Sequence, residues 1–123
     1  MAGPPILIVD DDPDTLEMLN VILTSQNYPV IEAVNGEEGL AAARRHRPDL
    51  IVLDLMMPVM DGFRVLHELS KDDELQHIPV LVCSGRPQAV QRAIRAGASD
   101  SISKPFLVED FEEKVRLLYG AGS

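Results

Sequence analysis

Several residue types are scarce in this sequence, and each shortage excludes a class of protein. Its 123 residues include no tryptophan and a single cysteine. Because a disulfide needs two cysteines, a disulfide within the chain is excluded. The net charge of −9 opposes direct binding to nucleic acid phosphates. No apolar run approaches the roughly 20 residues of a membrane span, and the first residues lack the pattern of a signal peptide. We therefore expect a soluble, cytoplasmic protein that contacts neither nucleic acid nor a membrane directly.

What the sequence does contain is a fivefold alternation of apolar, strand-like runs with segments of helical periodicity. The predicted strands are 6–9, 29–33, 50–54, 79–83 and 100–103. The predicted helices are 13–25, 36–46, 62–71, 87–96 and 107–118. This alternation is typical of a parallel sheet with helices on both faces. The length suits one domain, and the small residues 120–123 are interpreted as a tail or linker stub.

Polar side chains stand at the carboxyl ends of four predicted strands. Asp10 and Asp11 follow the first strand, Asp54 closes the third, and Ser84 and Lys104 follow the last two. In an open parallel sheet, the ligand site lies just outside these strand ends. Carboxylates that converge there repel one another unless a cation shares the site. Because no His or Cys lies next to these acids in sequence, the oxygen donors favour a hard ion such as Mg²⁺.

Asp54 is the candidate for covalent chemistry at this edge of the sheet. A carboxylate held beside Mg²⁺ can attack a phosphoryl group and form an aspartyl phosphate. Lys104 supplies a flexible cation for the phosphoryl oxygens, and the Ser84 hydroxyl can donate to one of them. Each residue alone is at least as easily a helix start, a strand-end cap, a turn hydroxyl or a surface cation. Their joint occurrence at four strand ends favours a functional site.

Four segments carry a wider similarity: ILIVDDDP at 6–13, DLMMPVMDG at 54–62, SG at 84–85 and KPF at 104–106. Together they make the sequence resemble the receiver domain of a two-component response regulator, in particular the single-domain chemotaxis type. The resemblance covers about residues 5–119. It implies a doubly wound, flavodoxin-like (βα)5 fold, with five parallel strands in the order 2-1-3-4-5.

The resemblance also implies a metal site. Asp54 would be the phosphoacceptor, and Asp11, Asp54 and the main-chain carbonyl of Met56 would bind Mg²⁺. Asp10 would act mostly through a coordinated water. These are the metal-site roles that the family's pattern assigns to the matching positions in this sequence.

Partners and activity follow from the same resemblance. Ser84 would be the switch hydroxyl and Lys104 the partner of the phosphoryl group. The phosphodonor would be a sensor histidine kinase, a phosphotransfer protein or a small acyl phosphate. The signal would pass to an effector protein or to an output domain outside this sequence. Enzymatic activity would be limited to Mg²⁺-dependent self-phosphorylation and autodephosphorylation.

One position departs from the family's pattern and affects how phosphorylation is reported. Three residues before the lysine, the family usually carries Tyr or Phe, and here the residue is Ser101. Without the ring, we expect the segment from Ser84 to Phe106 to report phosphorylation through a smaller and more polar surface.

Two other functions remain open from the sequence. An interaction module that works without phosphorylation would not need the acids, the hydroxyl and the lysine, although Ser101 is compatible with it. An aspartate-based phosphatase would usually show Asp-x-Asp followed by Gly-Thr, and residues 10–15 lack that glycine. No glycine-rich phosphate loop is present either. We therefore favour a signalling switch over both alternatives.

Overall fold

The strands and helices alternate along the chain, and the strands join into one parallel sheet. The computed structural model describes residues 3–57 and 60–122. Its strands are β1 (Ile6–Val9), β2 (Val30–Ala33), β3 (Leu50–Asp54), β4 (Val80–Ser84) and β5 (Asp100–Ser103). Its helices are α1 (Pro13–Ser25), α2 (Gly36–His46), α3 (Gly62–Lys71), α4 (Pro87–Arg95) and α5 (Val108–Leu118). The order β2-β1-β3-β4-β5 confirms the predicted doubly wound fold.

Two strands begin one residue later than predicted because prolines stand at their entrances. Pro29 and Pro79 have no N–H to donate to a ladder, so β2 and β4 begin at the residues after them. Both proline carbonyls still accept hydrogen bonds, from the Ile6 N–H at 2.8 Å and the Ile51 N–H at 3.0 Å. The fourth strand also runs one residue further than predicted, so Ser84 belongs to it.

Two helix ends differ from the prediction by one residue. Helix α4 ends at Arg95, and Gly97 follows with φ of 117°, a left-handed conformation that glycine adopts at little cost. Helix α5 begins at Val108 because the backbone of Leu107 is extended and forms the N-cap. These differences leave the positions of the strand ends unchanged.

The central strands β1 and β3 are buried on both faces, which places an apolar core on each side of the sheet. On one face, Ile6 and Leu50 pack with residues of α1 and α5, including the fully buried Phe111. On the other face, Leu7 and Ile51 pack with residues of α2, α3 and α4. Burying one such side chain contributes about 1.5–3 kcal/mol, so the two cores hold the strand ends firmly in place.

The loops that leave the functional edge of the sheet are fixed by helix caps. Asp12 caps α1 by accepting the Asp14 N–H at 3.1 Å. Asp61 caps α3 by accepting the Arg64 N–H at 3.1 Å. Such caps typically stabilise a helix by about 1 kcal/mol and set the direction in which the chain enters it.

The two ends of the described chain meet at the opposite edge of the sheet. The Tyr119 hydroxyl donates to the Pro4 carbonyl, and the Tyr119 ring lies 4.8 Å from that of Tyr28, measured between centroids. The Gly120 N–H donates to the Asp49 carbonyl at 3.1 Å. The division into a domain of residues 5–119 and a tail of 120–123 stays a prediction. Across residues 3–57 and 60–122, no helix is both long enough and apolar enough to cross a membrane.

Candidate functional site

The strand register brings the candidate residues to one edge of the sheet. Val9 of β1 pairs with Leu53 of β3, so Asp10 and Asp54 leave these neighbouring strands at the same level. Ser84 pairs with Ser103 in the ladder between β4 and β5, so Lys104 follows directly beyond this pair. The polar residues at these strand ends therefore share one edge, as the sequence indicates.

Three carboxylates converge at this edge. One carboxylate oxygen from each of Asp10, Asp11 and Asp54 lies within 4.8 Å of the others. Asp10 and Asp54 are only 3% and 8% exposed, whereas Asp11 faces solvent. An all-oxygen set with one open side has the chemistry that Mg²⁺ prefers, because this ion is usually bound by a few carboxylates and several waters.

Lys104 lies between two of these acids. Its Nζ is 3.4 Å from Asp10 Oδ2 and 3.8 Å from Asp54 Oδ1. The sequence predicted that Lys104 would serve a phosphoryl group, but it did not indicate the contact with Asp10. In the structure the lysine partly balances the buried negative charge.

Backbone donors orient both buried carboxylates. The Met56 N–H donates to Asp54 Oδ1 at 3.1 Å, and the Asp12 N–H donates to Asp10 Oδ1 at 2.9 Å. The backbone of Met56 thus lies against the Asp54 carboxylate, while its side chain is 47% exposed. Both bonds fix the carboxylates before any ligand arrives.

Burial and charge shift the protonation equilibria of the central pair. Burial raises the pKa of Asp54, and the charges of Asp10 and Asp11 add to this effect, whereas the Met56 N–H and Lys104 oppose it. Burial acts to lower the pKa of Lys104, but the charges of Asp54 and Asp10 outweigh it, so this pKa is raised. Without a bound metal, ionisation of Asp54 therefore costs more free energy than in an exposed carboxyl, whereas Lys104 stays protonated.

Ser84 is placed at the same edge with its hydroxyl already in a hydrogen bond. The side chain is buried, and Oγ accepts the Arg86 N–H at 3.0 Å. The Ser84 carbonyl accepts the Lys104 N–H at 2.9 Å, which ties β4 to the residue that follows β5. The neighbouring Cys83 is buried, and burial raises the pKa of its thiol to about 12, so the thiol is inert.

The two expected readout residues lie apart from the acids. Ser101 is half-buried on β5, where it lines an open groove against α5 together with Ser103 and Asp110. Phe106 stacks on Phe111, with ring centroids 5.2 Å apart, at the edge of the core formed by α1 and α5. The roles predicted for Ser101 and Phe106 stay predictions.

A second groove beside the site was not indicated by the sequence. It has a volume of about 360 Å³ and is lined by residues of the loop after β3 and of helices α3 and α4: Met56, Asp61, Phe63, Arg86, Gln88, Ala89 and Arg92. We call it the α3–α4 groove. The Arg92 guanidinium lies 4.0 Å from the centroid of the Phe63 ring, a cation–π contact between the two helices. No spacing or motif in the sequence links these two residues, which lie on different helices.

Comparison with known families agrees with the fold and with the predicted resemblance. The family model for the response regulator receiver domain matches residues 6–116. The chain therefore belongs to the response regulator receiver domain family.

Individual relatives include proteins of different lengths. The chain is 42% identical over 117 residues to the DNA-binding dual master transcriptional regulator RpaA of Synechocystis sp., covering 94% of this chain and 48% of RpaA. It is 37% identical over 102 residues to the protein PilH of Pseudomonas aeruginosa, covering 81% of this chain and 84% of PilH. The chain spans about half the length of several curated relatives that it matches.

A solved receiver structure has a closely similar fold. It is the receiver domain of the sensor histidine kinase PA1611 from Pseudomonas aeruginosa, with a magnesium ion coordinated in its active site cleft. The TM-score is 0.88 at 26% sequence identity, and the match covers 97% of this chain and 99% of that domain.

Proposed function

We propose that this chain is the phosphoacceptor switch of a two-component phosphorelay and that Asp54 receives the phosphoryl group. The arrangement around Asp54 carries the proposal. Its carboxylate is buried at a strand end, lies within 4.8 Å of two further carboxylates, and has the Lys104 ammonium 3.8 Å away. A helix start or a strand cap requires neither the additional acids nor the lysine beside them.

The acids are proposed to bind Mg²⁺. Asp11, Asp54 and the main-chain carbonyl of Met56 would be direct ligands, and Asp10 would act through a coordinated water. The all-oxygen cluster and the magnesium-bound cleft of the PA1611 receiver domain support this assignment. When bound, the ion would neutralise negative charge on the carboxylates and on the incoming phosphoryl group.

In the transfer step, a carboxylate oxygen of Asp54 attacks the phosphorus of a phosphohistidine or of a small acyl phosphate. The new O–P bond forms as the P–N or P–O bond of the donor breaks, and the electron pair of that bond leaves with the imidazole or the carboxylate. A departing imidazole takes up a proton. Lys104 pairs with the phosphoryl oxygens. Attack of water on the phosphorus of the aspartyl phosphate breaks the new O–P bond, regenerates the Asp54 carboxylate and releases inorganic phosphate. We propose no enzymatic activity beyond this self-phosphorylation and dephosphorylation.

Ser84 connects this chemistry to a change of shape. In the unphosphorylated state its Oγ accepts the Arg86 N–H at 3.0 Å. Once Asp54 is phosphorylated, rotation of the hydroxyl lets it donate to a phosphoryl oxygen, and the bond from Arg86 is lost. The proposed partners are a sensor histidine kinase or phosphotransfer protein upstream, and an effector protein or output domain downstream.

Phosphorylation of purified protein tests the assignment directly. Incubation with acetyl phosphate and Mg²⁺ should add one phosphoryl group to the wild type and none to Asp54→Asn, measured by intact mass spectrometry. Asp61→Asn is the matched control, because Asp61 is an exposed N-cap at the same edge and asparagine caps equally well. Equal labelling of the wild type and Asp54→Asn would refute the assignment, and a chelator should abolish labelling of the wild type.

A further inference from the structure

The α3–α4 groove combines apolar and cationic side chains in a chain that is strongly acidic. Met56, Phe63 and Ala89 supply apolar surface, while Arg86 and Arg92 supply positive charge. The net charge of the chain is −9, so two arginines lining one groove differ from the prevailing sign of the charge. A groove of this kind suits a ligand that carries both an apolar side chain and negative charge.

These two arginines have no acidic partner among residues 3–57 and 60–122. The ion pairs found there involve other cations, so neither Arg86 nor Arg92 is neutralised by a carboxylate. Arg92 instead lies over the Phe63 ring, and its residue as a whole is exposed to solvent. The one acid in the groove, Asp61, accepts the Arg64 N–H as the cap of α3. The groove therefore presents guanidinium donors that no internal carboxylate uses.

Two hydrogen bonds join the groove to the phosphorylation site. The Met56 N–H donates to Asp54 Oδ1 at 3.1 Å, and the Arg86 N–H donates to Ser84 Oγ at 3.0 Å. Met56 and Arg86 both line the groove, so its two walls are bonded to the acceptor and to the switch hydroxyl. Phosphorylation of Asp54 and rotation of the Ser84 hydroxyl would change both of these hydrogen-bond acceptors at once.

We propose that the α3–α4 groove docks an acidic segment of the downstream partner and that phosphorylation of Asp54 strengthens this docking. Carboxylates of the segment pair with Arg86 and Arg92, and an apolar side chain packs on Met56 and Phe63. Guanidinium groups suit this role because they bind carboxylates through two parallel hydrogen bonds. When Ser84 turns to the phosphoryl group, the Arg86 N–H is released and offers the segment a further donor. The coupling to phosphorylation rests on the proposed function of Asp54.

Peptide selection tests the proposal and does not require the partner to be identified first. A random library of short peptides is selected on the wild-type protein loaded with Mg²⁺ and beryllofluoride, which mimics a phosphoryl group on aspartate. Recovered peptides should be acidic and carry an apolar residue. Arg86→Ala and Arg92→Ala should each weaken their binding by about tenfold. Arg95→Ala is the matched control, because Arg95 is exposed on the same helix but lies outside the groove, and it should change binding by less than about twofold.

The outcomes separate the possible failures. The docking proposal is overturned if no peptide is recovered or if the recovered peptides are not acidic. It is also overturned if neither Arg86→Ala nor Arg92→Ala weakens peptide binding. A dimer in sedimentation that Arg92→Ala removes would assign the groove to a second copy of this chain, and would also overturn it. Without beryllofluoride, binding should weaken by at least about fivefold, and unchanged binding would remove the coupling to phosphorylation. Labelling of each protein by acetyl phosphate, measured alongside, shows whether the proposed function of Asp54 itself has failed.

Discussion

Replacing Asp54 by asparagine is expected to stabilise the metal-free protein, although it removes the proposed phosphoacceptor. The substitution eliminates one of three negative charges whose oxygens lie within 4.8 Å of one another. Asparagine keeps a side-chain oxygen that can still accept the Met56 N–H. The comparison therefore isolates the cost of the charge from the cost of losing a hydrogen bond.

The magnitude follows from the distances in the site. At 4.8 Å and an effective dielectric constant of about 20, each repulsion of Asp54 by Asp10 or Asp11 is at least about 3.5 kcal/mol. The attraction to Lys104 at 3.8 Å is about 4.4 kcal/mol on the same scale. Two repulsions exceed one attraction by about 2–3 kcal/mol, and solvent at the exposed Asp11 reduces this difference. We expect Asp54→Asn to raise the free energy of unfolding by about 1–2 kcal/mol in the absence of metal.

Urea unfolding followed by far-ultraviolet circular dichroism measures this difference, since the chain has no tryptophan for fluorescence. Magnesium at about ten times its Kd should stabilise the wild type by about 1.4 kcal/mol and the variant by less. Because burial raises the pKa of Asp54, ionisation is less favourable in the folded chain than in the unfolded chain. The wild type therefore loses stability as pH rises through the raised pKa, and the advantage of asparagine grows over the same window and then levels off.

An Asp54→Asn variant less stable than the wild type at neutral pH in a chelator would refute the electrostatic explanation. Equal stabilisation of both proteins by magnesium would also refute it, because binding of the ion would then not depend on the charge of Asp54. Asp61→Asn serves again as the control, since it removes a charge at the same edge outside the group of three carboxylates. It should leave the response to magnesium unchanged.

Two further predictions concern the surroundings of Asp54. Lys104→Ala should still take up one phosphoryl group but should not convert to the active state, measured as the stronger peptide binding expected of the phosphorylated wild type. Without metal it should lose about 1–3 kcal/mol of stability, measured by urea unfolding, because two buried acids lose their counter-charge. Gly62→Ala should destabilise the fold by about 1–3 kcal/mol and weaken Mg²⁺ binding, because its Cβ would stand 2.7 Å from Leu55 Cα and 2.8 Å from the Asp54 carbonyl oxygen. Gly85→Ala, whose Cβ would meet nothing closer than 3.8 Å, should cost less than about 1 kcal/mol, and equal losses in the two glycine variants would contradict the steric argument.

Most of the fold was predictable because local and long-range signals agree. Apolar runs such as that of β3 are buried on both faces, and this is possible only inside a sheet covered by helices on both sides. The small errors arose at particular residues. The apolar neighbours of Pro29 and Pro79 predict that both prolines lie in strands, but a residue without an N–H cannot donate to the ladder.

The acids of the candidate site were predictable for a different reason. In a parallel sheet the ends of all strands face the same way, so Asp10 and Asp54 had to meet once the strands were identified. The α3–α4 groove could not be predicted in this way. Contacts such as that of Arg92 with Phe63 depend on how two helices rotate about their axes when they pack, and no short sequence pattern encodes that rotation.

If Asp54 is phosphorylated as proposed, the serine at position 101 bears on where the response can arise. The resemblance implies a readout through an aromatic ring at this position, and Ser101 supplies none. The hydroxyl of Ser84 still has two possible partners, the Arg86 N–H and a phosphoryl oxygen. If Ser84 acts as the proposed switch, rotation of its hydroxyl would act first on the start of α4 and on the α3–α4 groove, because the Arg86 N–H is the donor that it would release. We therefore expect a partner that binds the phosphorylated protein to contact α4 through residues such as Arg92, on the side that faces α3.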